Sequence, residues 1–173
     1  MKHLLRPVAI ALGVILLGGF GWIACRAKWR QMSLQQAIKQ YHVAVDGFSR
    51  GDPEPAKRIF SHRDDVTLAN PWGPAVRGWR QVSEALNFAS SRFREGKVTS
   101  FEPVAWYEAP ELATILELER WRAKVGGRED ISFFDLRVTS TFRREDGTWK
   151  LVHRHADPIT APNPEGPLRR LGG

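Results

Sequence analysis

Residues 143–158 read RREDGTWKLVHRHADP, and the way this stretch folds decides the architecture of the whole chain. Asp146-Gly147 is a two-residue turn signal of the kind that joins antiparallel strands, and the residues behind it alternate as a strand. With unbroken alternation Trp149, Leu151, His153, His155 and Asp157 share one face, and Lys150, Val152, Arg154 and Ala156 share the other. Apolar residues then fall on both faces. A strand covered on both sides is expected, and the second cover would be another molecule.

Working outward, "KVTSFEPVAWYEA" (97–109), "LATILELERWRAKV" (112–125) and "ISFFDLRVTSTFRR" (131–144) read as further strands, separated by Pro110 and by Gly126-Gly127. In the last of them Ser132, Phe134, Leu136, Val138, Ser140 and Phe142 form one parity, and Asp135, Arg137, Thr139, Thr141 and Arg143 the other. One face is covered and the other is polar. Ahead of the strands lie helices. Leu34, Ala37, Ile38, Tyr41, Val45 and Phe48 repeat at 3.6 residues, Ser33 with Gln36 forms a capping box, and Gly51 is the stop. Asp52 and Pro53 open a short second helix running to about Phe60. "DDVTLAN" (64–70) alternates as a strand, "PWGPAVRG" (71–78) reads as a loop, and a third helix spans about Trp79 to Arg94, with Val82, Ala85, Leu86, Ala89 and Phe93 inward. Helices followed by a long meander give an α+β class, about three helices packed on one face of a bent, mainly antiparallel sheet.

The chain has 173 residues and a formal net charge of +7. Its one cysteine, Cys25, rules out an internal disulfide framework or a cysteine-built metal site. Most of the excess charge lies outside the domain: residues 33–158 hold 19 Lys and Arg against 18 Asp and Glu. No basic stripe exists there for phosphates, and nucleic acid is not an expected partner. Lys2, Arg6, Arg26, Lys28 and Arg30 bracket the uncharged run Pro7 to Cys25, which as a helix would reach about 28 Å, close to a bilayer's hydrocarbon thickness. Residues 1–30 are therefore expected to be an N-terminal membrane anchor, with a cleaved secretory signal or lipidation at Cys25 as alternatives. The cation flanks lean only slightly to an extracytoplasmic domain. Residues 31–160 form the folded domain, and the Pro/Gly-rich 161–173 read as a disordered tail.

The order helix, helix, strand, helix, meander, together with "DDVTLANPWGPAVRGW" (64–79) and the Trp-x-x-Val-His-x-His of the closing strand, resembles the SnoaL-like and ketosteroid-isomerase-like branch of the nuclear transport factor 2 superfamily over Ser33 to Pro158. That resemblance implies a cone enclosing a mostly apolar cavity for small ligands. It also leaves function open, because isomerases, cyclases, dehydratases, binding domains and oligomerisation modules share the fold. By resemblance to the ketosteroid isomerases, Tyr41 in "AIKQYHVAV" stands where the oxyanion donor belongs, and Ser140 falls near the protonated aspartate that is the second donor there. Asn70 occupies the place of the general-base aspartate, and an amide cannot take a proton near neutral pH. Isomerase chemistry of that kind is not expected.

The same resemblance turns Arg154 toward the cavity and leaves His153 and His155 on the outer face, where dimers commonly form. The candidate ligand-binding residues are thus Tyr41, Asn70, Trp72, Trp79, Ser140 and Arg154. Trp72 and Trp79 flank the loop at the cavity mouth. Trp149, Leu151, His153 and His155 are the candidate interface of a homodimer. Tyr41 and His155, the latter as a base, are the candidate catalytic residues should the domain be an acid-base enzyme acting on a small carbonyl compound. A metal would need His153 and His155 plus Asp157 or His62, and neither a metal nor another cofactor is expected. Glu117 and Glu119 share a parity with Trp121 and read as cross-strand ion-pair partners of Arg137 on a polar face. Asp64 and Asp65, adjacent on a strand, point to opposite faces and make no carboxylate pair.

Overall fold

The computed structural model describes residues 32–158, 160 and 161, so the expected anchor over residues 7–25 and the tail from residue 162 onward lie outside the described residues. Among the described residues three helices, α1 (Leu34–Phe48), α2 (Glu54–Ile59) and α3 (Trp79–Ser90), accompany six strands: β1 (Thr67–Asn70), β2 (Gly73–Arg77), β3 (Phe93–Glu108), β4 (Leu112–Val125), β5 (Ile131–Glu145) and β6 (Thr148–Asp157). The strands form one sheet in the order β2-β1-β6-β5-β4-β3. All neighbours are antiparallel except β1 and β6, which run parallel. Among the described residues no helix is long and apolar enough to cross a membrane.

The capping box forms as the sequence requires: Gln36 N–H donates to Ser33 Oγ at 3.2 Å and Ser33 N–H to Gln36 Oε1 at 2.9 Å. Leu34, Ala37, Ile38, Tyr41 and Val45 are all buried against the sheet. Glycine is required where β3 crosses the end of this helix, because a Cβ on Gly96 would lie 2.1 Å from the Ser49 carbonyl oxygen. One residue pair further along, Val98 N–H donates to Asp46 Oδ1 at 3.0 Å, tying α1 to the edge strand. The Asp146-Gly147 turn has φ of 49° and 77°, the left-handed pair that a tight hairpin needs.

Four elements differ from the sequence expectation. Asp64 and Asp65 lie in a turn and not on a strand, since β1 begins only at Thr67. The stretch 71–78 is not all loop: Gly73–Arg77 pairs with β1 as an edge strand, where Pro74 has no ladder partner to deprive on its free side. The third helix ends at Ser90, so Phe93 opens β3 instead of closing the helix, although it stays buried.

The most consequential difference is in β6. Thr141 pairs with His153 and the next residue, Phe142, pairs with Leu151. Val152 is therefore the extra residue of a β-bulge, and alternation resets across it. Trp149 and Leu151 point inward on one side of the bulge, at 3% and 0% exposure, and Arg154 and Ala156 point inward on the other. The placement of Trp149 and Leu151 on an outer interface is thus corrected: both belong to the core. His153 and His155 do stand on the outer face, in register with Thr141 and Thr139.

Candidate functional site

The sheet's inner face and the three helices enclose an apolar cavity of about 50 Å³, walled by Leu68, Leu86, Phe93, Trp121, Leu136, Leu151 and their neighbours. Tyr41 from α1, Asn70 and Trp72 from the β1–β2 hairpin, and Arg154 from β6 reach it. Aromatic packing narrows it: Phe93 lies 5.4 Å from Trp121 and 5.7 Å from Trp72, ring centre to ring centre.

Polarity is concentrated in one cluster. Tyr41 Oη donates to Glu119 Oε1 at 2.6 Å. Glu119 Oε2 accepts from Arg154 Nη2 at 2.8 Å and from Trp121 Nε1 at 3.0 Å. Arg154 Nε donates to the Tyr41 oxygen at 3.0 Å. A charged guanidinium and a carboxylate are tolerable at this depth only because every oxygen of the carboxylate meets a donor. Burial pushes the Tyr41 phenol well above its ordinary pKa; Arg154 opposes that shift, while Glu119 and Glu117 add to it. Burial is the largest influence on Arg154 and works against its charge, but Glu119 and Tyr41 together outweigh it and leave the guanidinium's pKa raised.

Beside this cluster Glu117, 1% exposed, is met by His42 Nε2 at 3.0 Å, and the imidazole side chain is 26% exposed. The His42 ring stacks on Phe101 with centres 3.8 Å apart. Glu117 and Glu119 therefore do not lie on a polar face pairing with Arg137, which instead bonds Asp157 at 2.9 Å. They stand on the covered face of β4, opposite Val138 and Leu136. The signal that could have revealed this is their shared parity with Ala113, Ile115, Trp121 and Ala123, all buried.

The other sequence candidates separate. Asn70 Oδ1 accepts from Trp72 N–H at 2.9 Å, shaping the hairpin turn while the residue lines the cavity. Ser140 is fully buried but does not line the cavity, and its Oγ has no hydrogen-bond partner among the described residues. Trp79 turns away from the mouth and stacks on His62, ring centres 3.8 Å apart. His155 is half exposed on the outer face, 3.9 Å from Asp157, so it cannot act as a base in the cavity. His153 shares a 2.8 Å hydrogen bond with Thr67, and its pKa is lowered by burial and then by repulsion from His155. His62 is engaged with Lys57 O at 3.1 Å. Among the described residues no three His, Cys, Asp or Glu side chains converge on a common point for a metal.

Helices on one face of a mixed six-stranded sheet, with a buried polar cluster beside an apolar cavity, define the nuclear transport factor 2-like class of α+β domains. Within that class the chain belongs to the SnoaL-like domain family, whose model matches residues 34–161. Among solved structures it is similar to a nuclear transport factor 2-like superfamily protein from Salmonella enterica, at 20% identity, TM-score 0.62, over 76% of this chain and 92% of that one. A ketosteroid isomerase-like protein from Erwinia carotovora matches at 14% identity and TM-score 0.61, over 74% of this chain and 95% of the other. A protein with a cystatin-like fold from Caulobacter vibrioides matches at 22% identity and TM-score 0.55, over 76% and 89% of the two chains. At these identities the likeness is one of fold. No curated protein matches the chain.

Proposed function

We propose that the domain binds a small, partly apolar molecule in its cavity and does not turn it over. The observation that carries this is the Arg154–Glu119–Tyr41 cluster, which with Asn70 supplies a few polar groups in a mostly apolar enclosure, the way small-molecule sites fix orientation. Turnover is disfavoured because the Tyr41 proton is already given to Glu119 and Asn70 cannot serve as a base. Native mass spectrometry and ligand-observed binding of small ketones to the full-length chain test this. Conversion of a β,γ-unsaturated ketone by the parent as fast as by an Asn70→Asp variant would replace the binding reading with an enzymatic one.

The small volume and the packed Phe93, Trp72 and Trp121 favour a second reading, an oligomerisation module with no ligand, since recognised ligand pockets run to about 300 Å³ or more. On that reading no small molecule protects the fold against heat at any soluble concentration. In either case we propose a homodimer through the sheet's outer face, where Tyr107 and Phe133 are 66% and 78% exposed beside Leu116 and Leu118. Sedimentation at tens of micromolar checks it, and a monomer there would sink the idea. Residues 7–25 are proposed as the membrane anchor, with a cleaved secretory signal as the alternative. Retention of the full chain in the membrane pellet through an alkaline carbonate wash is the expected result, and release at a shortened mass would establish cleavage.

A further inference from the structure

The polar cluster also sets the charge an occupant can carry, an inference that rests on the small-molecule reading above. Arg154 brings a permanent positive charge. Glu119, with no exposed surface, cancels it through the 2.8 Å pair. Glu119 takes three donors, from Tyr41, Trp121 and Arg154, the pattern an acceptor-only carboxylate fills. Tyr41 stays a neutral phenol, so the cluster as a whole carries no net charge.

Of the guanidinium nitrogens, Nε is committed to Tyr41 and Nη2 to Glu119. Nη1 has no hydrogen bond among the described residues, and it is not among the buried unpartnered atoms. Because Arg154 is itself part of the cavity wall, the N–H groups of Nη1, with the second N–H of Nη2, are the donors left for an occupant. A carboxylate placed there would lose its water in an apolar enclosure, face a cation already neutralised, and stand near the negative charges of Glu119 and of Glu117 behind it. The other basic side chain nearby, His42, is turned to Glu117. A carbonyl or ether oxygen accepts from Nη1 with no charge to desolvate. We infer that Glu119 is a specificity-determining residue: by neutralising Arg154 it makes the cavity select neutral hydrogen-bond acceptors and reject carboxylates of the same shape.

The test is a matched pair of probes, 3-methyl-2-butanone and isobutyrate, which share a branched skeleton and size. Both are titrated into the full-length chain in detergent micelles and followed at the Trp121 indole N–H resonance, assigned with a Trp121→Phe variant, so that partitioning into the micelle does not register. The ketone should bind about tenfold more tightly than isobutyrate, the usual scale of one badly paired buried polar group. Glu119→Gln, which exposes the full charge of Arg154, should reverse the order, whereas Glu119→Asp, which keeps the charge, should retain it. Equal or tighter binding of isobutyrate by the wild type overturns the inference while leaving a binding function intact. Unchanged selectivity in a folded Glu119→Gln variant overturns the role of Glu119. Where that variant does not fold, the wild type and Glu119→Asp decide, and a preference for isobutyrate in either is fatal. A resonance unmoved by both probes removes the small-molecule reading and this inference together.

Discussion

Glu119 and Glu117 stand two residues apart on the same covered face of β4, equally buried, yet they are stabilised in different ways. Glu119 is held by three donors, one of them a permanent cation whose own side chain is 13% exposed. Glu117 has one hydrogen-bonded side chain, the quarter-exposed His42 of α1. A carboxylate paired with a buried permanent cation is fixed by a full set of donors, whereas one beside a partly exposed side chain is met by that side chain alone. The first arrangement ties α1 to β6 through β4, and the second joins α1 to β4 alone.

The largest test of that contrast is Arg154→Met. Removing one partner of a buried pair leaves the other charge uncompensated, and the expected loss is about 3–5 kcal/mol in chemical denaturation. Changing Glu119→Leu in the same chain should recover most of it. A loss below about 1 kcal/mol for the single change, the scale of an exposed pair, would show that the region is wetter than its burial implies. A smaller effect is expected at the second carboxylate: His42→Ala should cost about 1–3 kcal/mol, the range for leaving one buried acceptor badly satisfied. If it costs as much as Arg154→Met, the distinction between the two carboxylates collapses.

The smallest effect lies on the outer face, at His153. Its pKa in the fold is lowered by burial and by His155, so at a given pH the unfolded chain binds more protons there than the native one. Stability must then fall as pH drops through the ordinary histidine value of about 6.5 and level off below the native value. A His153→Gln variant should flatten that part of the stability–pH curve. An unchanged slope between pH 7 and 5 would assign the pH dependence elsewhere.

Much of the scaffold was legible because its signals are local. The Ser33–Gln36 box, the α1 periodicity through Val45, the Asp146-Gly147 turn and the two parities of β5 each depend on a few neighbouring residues, and each appears as read. The inward placement of Arg154 followed from the family resemblance. The residues that complete the site were harder to read because their roles depend on contacts far along the chain. Tyr41 meets Glu119 across 78 positions, and two acids on an alternating strand look like a solvated face until a guanidinium from β6 arrives. The bulge at Val152 has no compositional mark, as valine serves a regular strand equally well, and so Trp149 and Leu151 were expected on the wrong side.

That bulge also governs how the strand can change in length over evolution. Position 152 is where residue number and side-chain facing are uncoupled in β6. Loss of Val152 would leave a regular strand with Trp149, Leu151, Arg154 and Ala156 all still inward. Loss of a residue beside it, such as Lys150, would turn Trp149 out to water unless the bulge moved to compensate. Relatives that lack the extra residue should therefore be compared with this chain across a one-residue gap at 152, since an ungapped alignment would match the cavity guanidinium to an outward-facing position in every one of them.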